Sequence, residues 1–267
     1  MGGGIAFAVA GRLGYQCIGS EMLAEAAHQH GLTAERLTRL GEAKPSLLDR
    51  LDAETQMYVA VMQSAVYEAA LEDDVVLLGR GGQWLLRGIA HVLRVRVVAP
   101  FEVRVGRLAE RLTTETGRSP ALAAAHDAAA DLVRRDDRDK VGRMRYLYDR
   151  DIDDPELYDL FVNTERLSVE SSAEILALAV QRLAPGPIGD GRARLVDRAL
   201  AARVRVALLS DERTRGYRHP NIDAEAGVVS IATMGPVGPV ETVAEGVAGV
   251  RIVQATEIPV LPPMPIP

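Results

Sequence analysis

Apolar positions change period several times along the chain, and each change predicts an element. Ile5, Ala6, Val9 and Leu13 recur at helical spacing behind three glycines, with Gly14 as a stop. Tyr15 to Ile18 is a short strand. Ser20 is placed to cap a helix over Glu21 to His30, and a shorter amphipathic helix covers Thr33 to Gly41. His28 and His30 sit two apart and face different ways on the helix Glu21 to His30, so they are not expected to make a metal pair. Thr55 to Leu71 reads as a long amphipathic helix and Val75 to Leu78 as a wholly apolar strand of the buried, parallel kind. A short helix at Gln83 to Arg87, a strand over His91 to Ala99 and a helix over Glu102 to Leu112 follow. An Ala-rich helix, Ala121 to Ala130, runs into a charged stretch, Leu132 to Arg150. Leu157 to Val162 is a strand, and Ser168 caps a helix over Val169 to Leu183. Strands alternating with helices predict an α/β fold with a parallel sheet.

Beyond residue 183 the pattern restarts. Ala184 to Gly191 is rich in Pro and Gly and reads as a linker. Helix 193–209, strands 221–224 and 228–232, helix 240–247 and strand 249–255 then give α-β-β-α-β. A Pro-rich tail, 258–267, is expected to be extended. The expected division is 1–183, a linker at 184–192, a small domain at 193–257 and the tail, with few contacts across the linker.

A chain of 267 residues accommodates two such units. Aromatics are only 4%, so the cores must be built from Ala, Val, Leu and Ile. A net charge of −6 argues against a general nucleic-acid binder, and no nucleic-acid partner is expected. The one cysteine, Cys17, excludes an intramolecular disulfide and a cysteine-based metal site. The apolar N-terminus lacks the basic region of a signal peptide, and no apolar run approaches a membrane span, so a cytoplasmic location is expected.

Three stretches could carry chemistry. In Leu132 to Arg150, Arg134, Arg138 and Arg145 share one helical stripe, and Arg135, Asp139 and Arg143 share another. Asp139 could pair with the arginines a turn away and hold their forks for a polyphosphate; a solvated helix laced with ion pairs fits the same spacing. Gly2, Gly3 and Gly4 open a helix, the arrangement in which backbone amides cradle phosphate; a frayed glycine terminus fits as well. Arg80 lies in Gly79-Arg80-Gly81-Gly82 just past a strand, where ligands of open α/β sheets sit, or in a generic strand-to-helix turn.

Residues 1 to about 183 resemble the cytidylate kinase-like family of P-loop nucleoside monophosphate kinases. The resemblance rests on GGGIA and LGY at the start, VVLLGRGGQ at 75–83, RRDDRD at 134–139 and DDPELYDLFVNTERLS at 153–168. It implies a P-loop parallel-sheet fold, ATP as phosphoryl donor, Mg²⁺ on the donor phosphates and a pyrimidine monophosphate such as CMP as acceptor. It places Gly2, Gly3 and Gly4 in the phosphate loop and Arg80 on the monophosphate. It sets Ser20, Arg135 and Asp139 on the acceptor nucleotide and lets Arg138 reach the donor phosphates. No Lys follows the glycines and GGGIA has no hydroxyl, unlike a full Walker A loop. Gly81 stands where cytidylate kinases have a base-reading Asp, and Gly142 where they have a last lid Arg, with Arg143 one residue off. A phosphate loop without a strand before it leads us to expect an upstream strand in the native gene product.

Residues 193–257 resemble a BON domain, carried by the element spacing and GVRIV at 249–253. That resemblance implies binding or tethering, to a protein or lipid partner, and no catalysis. An ATP-dependent kinase and a nucleotide-binding regulatory module are both compatible with the whole.

Overall fold

The computed structural model describes residues 1–19, 53–115, 122–183, 188–219 and 221–259. Ser20, the helices expected over 21–41, the segment Leu47–Leu51 and the tail beyond residue 259 lie outside the described residues. The first half runs α1 (Gly2–Leu13), β1 (Gln16–Ile18), α2 (Ala53–Leu71), β2 (Val75–Leu77), α3 (Gly82–Leu85), β3 (Val95–Val98), α4 (Phe101–Glu115) and α5 (Leu122–Tyr148). A 3₁₀ turn (Pro155–Leu157), β4 (Leu160–Asn163) and α6 (Val169–Arg182) complete it. The second half is α7 (Ile188–Ser210), β5 (Asn221–Glu225), β6 (Val228–Thr233), α8 (Val237–Glu245) and β7 (Ile252–Glu257).

Local chemistry explains where the elements differ from their expected bounds. The strand expected from His91 starts only at Val95, because the Arg94 N–H is taken by the Asp159 carboxylate at 2.8 Å. The strand expected from Leu157 starts at Leu160; Asp154 accepts from Glu156 N at 2.9 Å and turns the chain into the 3₁₀ helix first. Helix α4 runs past Leu112 into the expected loop, with the hydroxyls of Thr113 and Thr114 bonded back to Glu110 O. Ser168 caps α6 as expected, accepting from Ser171 N at 3.1 Å.

The strands of the first half form two separate parallel pairs among the described residues, β1 with β2 and β3 with β4. A cavity of about 1030 Å³ lies between β2 and β3. Consecutive residues of both strands line it, 74–79 on one side and 92–97 on the other. Side chains alternate between faces along a strand, so an unbroken run means that the strand edges face the cavity. Helix α1 packs on α6 below it through Ile5, Val9, Ala173 and Leu176.

Helix α7 carries two apolar stripes. Leu195 and Val206, about three turns apart, join a core with Tyr58, Val61, Leu85, Leu86 and Ile89 of the first half. Leu200, Val204 and Leu208 lie on the opposite side and join Ile222, Val229, Ile231 and Val240 of the second half. In that half β6 pairs antiparallel with β5 and parallel with β7. Arg192 also pairs with Asp73, and Arg203 with Glu68. The expected sparse boundary is therefore corrected: the stretch read as linker is helical from Ile188, and α7 packs along α2. Gly191 is part of the reason. A Cβ on it would lie 2.8 Å from His91 Nδ1, so this glycine permits close approach rather than flexibility.

Candidate functional site

The cavity runs along β2 and β3 to the turn past the carboxyl end of β2, and three sequence-predicted stretches line it. The glycine end of α1 contributes Gly2 and Ile5 to its wall, the turn after β2 contributes Leu78 to Gly82, and α5 contributes Lys140, Arg143 and Met144.

Residues 79–81 all have left-handed backbone, with φ of 78, 59 and 77. Two of them are glycines, which adopt it freely; Arg80 is not, and a side chain there costs about 1–2 kcal/mol. The surroundings hold it. Trp84 N and Leu85 N both donate to Gly81 O, at 2.9 and 3.0 Å, and the Tyr148 hydroxyl donates to Arg80 O at 3.4 Å. Burial pushes the Tyr148 hydroxyl well above its ordinary titration range, so it remains a donor. Tyr148 also explains Gly81: a Cβ there would lie 2.5 Å from its ring.

Six cations line the cavity, and most already have partners. Arg94 makes a two-pronged bond to Asp159 at 2.7 and 3.1 Å; burial pushes that carboxyl up, but the hydrogen bonds and charge of Arg94 outweigh it and hold it below its usual range. Arg96 meets Asp153 at 2.8 Å. Arg192 pairs with Asp73 and Lys140 with Asp136. Arg80 and Arg143 make no ion pair with a carboxylate among the described residues. They are the two guanidinium groups of the cavity available to an anion.

Gly2, Gly3 and Gly4 form the first turn of α1 itself, rather than a loop ahead of it, and no side chain caps that turn. Burial lowers the Met1 amine, and the charges of Arg111, Arg107 and Lys140 lower it further. The helix start, with its unpaired N–H groups, thus lies in a positive field suited to phosphate. Arg107 is fixed there by Thr164 O at 2.6 Å, and Thr164 N is bonded to Val98 O at the end of β3.

Helix α5 presents its charges differently from the expectation. Its cavity side is Lys140, Arg143, Met144 and Leu147, spaced i, i+3, i+4 and i+7. Arg135 and Arg138 are exposed on other faces and do not line the cavity, nor does half-buried Asp139. The expected bracing of Arg135 and Arg143 by Asp139 is not found among the described residues. The ion pairs run instead from Asp136 to Lys140 and from Asp137 to Arg104 of α4, the latter two-pronged at 2.6 and 2.9 Å. Packing against α4 turns Asp137 to a fixed partner, whereas an exposed i,i+4 pair gains only about 0.3–0.5 kcal/mol. Arg143, read from the sequence as one of a braced pair, reaches the cavity without Arg135, and Lys140 is the site residue that the charge pattern missed; the apolar partners Met144 and Leu147 on their stripe were the available signal.

Residues 1–166 match the model of the cytidylate kinase-like family. A cytidylate kinase of Staphylothermus marinus is 31% identical over 160 residues, 59% of this chain and 77% of that protein. Cytidylate kinases of Haloquadratum walsbyi and Natronomonas pharaonis are 30% and 28% identical over 168 and 186 residues, covering 76% and 84% of those proteins. An uncharacterized protein from Eubacterium ventriosum aligns in structure with a TM-score of 0.49 at 14% identity, over 66% of this chain and 89% of that one. Since the matched segment takes in more than half of the residues and brings Arg80 and the glycine helix start to one cleft, the chain belongs to the cytidylate kinase-like family.

Proposed function

We propose that this protein transfers a phosphoryl group from ATP to a nucleoside monophosphate, a pyrimidine such as CMP. The observation that carries the reading is the pair of cations without carboxylate partners among the described residues, Arg80 and Arg143, lining one cavity with the glycine start of α1. Arg80 binds the acceptor phosphate. The Gly2–Gly4 amides bind donor phosphate oxygens, and Arg143 with Lys140 neutralises charge on the group in transit. Such a reaction needs positioning and charge stabilisation more than covalent chemistry. Arg135, Arg138 and Asp139 take part when α5 swings as a lid, and Ser20 belongs to the acceptor side. The described residues hold no group of three His, Cys, Asp or Glu that would cage a metal, and the glycine turn offers no hydroxyl. Mg²⁺ would enter with ATP, held chiefly by its phosphate oxygens.

The α7-to-β7 unit, with its α-β-β-α-β order, is proposed as a BON-like interaction module for a protein or lipid partner. No described helix is long and apolar enough to cross a membrane, and we place the protein in the cytoplasm.

A second reading is favoured by Gly81, where Tyr148 occupies the space a base-reading side chain would need. In it the kinase fold senses a nucleotide and the BON-like unit reports it. A transfer assay with CMP, dCMP and UMP, paired with calorimetry on the same nucleotides, separates the two. Turnover above a no-protein blank is expected on at least one acceptor. Binding with no turnover on any would reject the kinase and leave the sensor.

A further inference from the structure

We infer that Arg198, on α7 and outside the segment matched by the family, is a positioning residue for the Arg80 turn, so that the C-terminal half sets acceptor affinity. The inference rests on the assignment of Arg80 to the acceptor phosphate.

Helix α3 has only four residues, too few to hold its own conformation. It nevertheless has to anchor a turn in which Arg80 is kept at φ 59. A strained residue persists only where its surroundings over-determine it. On the upstream side β2 provides the anchor. On the downstream side one guanidinium nitrogen, Arg198 Nη1, donates to Leu85 O at 2.8 Å and to Arg87 O at 2.9 Å. Leu85 is the last residue of α3, where intrahelical donors run out, and Arg87 lies two residues past it. Leu195, one turn earlier on α7, is fully buried and shares a core with Leu85, Leu86 and Ile89. The C-terminal half therefore holds the end of the short helix whose start fixes Arg80.

Losing this clamp frees the turn to relax toward right-handed backbone and carries the Arg80 guanidinium away from the acceptor phosphate. The donor side, built on α1, keeps its own supports. Arg198→Ala should raise KM for CMP, or the Kd from calorimetry, by about tenfold, the scale of a hydrogen bond to a charged group. Turnover at saturation and ATP affinity should change less than about threefold. Arg198→Lys, which keeps one cationic donor, should recover part of the loss, and Arg194→Ala, exposed a turn away, should behave as wild type. Trp84, the one tryptophan of the chain, lies within α3 and reports on the turn without any ligand. Its iodide quenching should rise in Arg198→Ala.

An unchanged CMP constant in a folded Arg198→Ala protein would overturn the inference. So would equal weakening of CMP and ATP with no recovery by Lys, since that is general loosening. A wild type that binds no monophosphate would instead reject the acceptor reading of Arg80. Unaltered Trp84 quenching would then reject the clamp as well.

Discussion

Arg80 and Gly81 show how two neighbouring residues divide binding and shape. Arg80 lines the cleft without a carboxylate partner among the described residues, so Arg80→Ala should leave the fold intact. It should weaken CMP by roughly 1.5–3 kcal/mol, the worth of a charge-assisted contact; unchanged affinity in calorimetry would contradict its role. Gly81 is constrained by Tyr148. Gly81→Asp, which restores the residue expected of a cytosine reader, should destabilise the protein by about 1–3 kcal/mol in urea unfolding through overpacking. It should not improve discrimination of CMP over UMP. A variant as stable as wild type and more selective would show that Tyr148 yields. On α5, Arg143→Ala should lower kcat at least about tenfold, or ~1.4 kcal/mol of transition-state stabilisation. Arg138→Ala should have the smaller effect, because Arg138 is exposed away from the cavity. The reverse order in steady-state kinetics would mean that the swung position of α5, and not the cavity as it stands, holds the group in transit.

Among the elements, α7 is the one whose role the sequence conceals. Its flanking Pro and Gly residues resemble a linker, and its apolar positions look like one amphipathic face. Only the assembled structure shows two stripes on opposite sides, each completing a different core. Leu195→Ala should therefore cost ~2–5 kcal/mol, and should loosen the first half rather than the second. Residues 1–187 alone should show reduced helix content and a lower melting temperature by circular dichroism; a fragment as stable as the whole chain would restore the separate-domain picture. The strand β2 was legible, because a short unbroken apolar run allows little else. So was the helical nature of 132–150, which has no Pro and one Gly. The rotation of that helix was not legible. Several of its stripes carry arginines, and only the burial of Met144 selects the one that turns toward the cavity. Ahead of β5, His219 is buried, and the backbone of Thr214 is the polar group that faces its ring among the described residues. Burial, helped by the charge of Arg205, holds its pKa below the ordinary 6.5. A lowered folded value means that its stabilising contribution is complete above 6.5 and is lost as pH falls through the folded value. Replacing it by Phe should flatten the acid side of the stability profile below pH 6.5, measured by urea titration at several pH values.

At the scale of the whole molecule, the α/β class followed from the alternation of strands and helices, and the family resemblance set the glycine helix start and the Arg80 turn at one nucleotide site. The gap between the strand pairs did not, because each strand reads the same whether or not its far edge is bonded. That gap has a consequence for backbone exchange. Asp74 O and Leu78 N are bonded to β1, and Arg94 O and Val98 O accept from the β4 side. Amide direction alternates along a strand, so Val76, Leu78, Arg96 and Val98 point toward their partner strands, while Val75, Leu77, Val95 and Val97 point into the cavity. Amide deuteration should therefore follow an odd–even pattern, with the second set exchanging orders of magnitude faster than the first. Uniform slow exchange along both strands would reveal that another β-strand lies between them in solution, joining the two pairs into one continuous sheet.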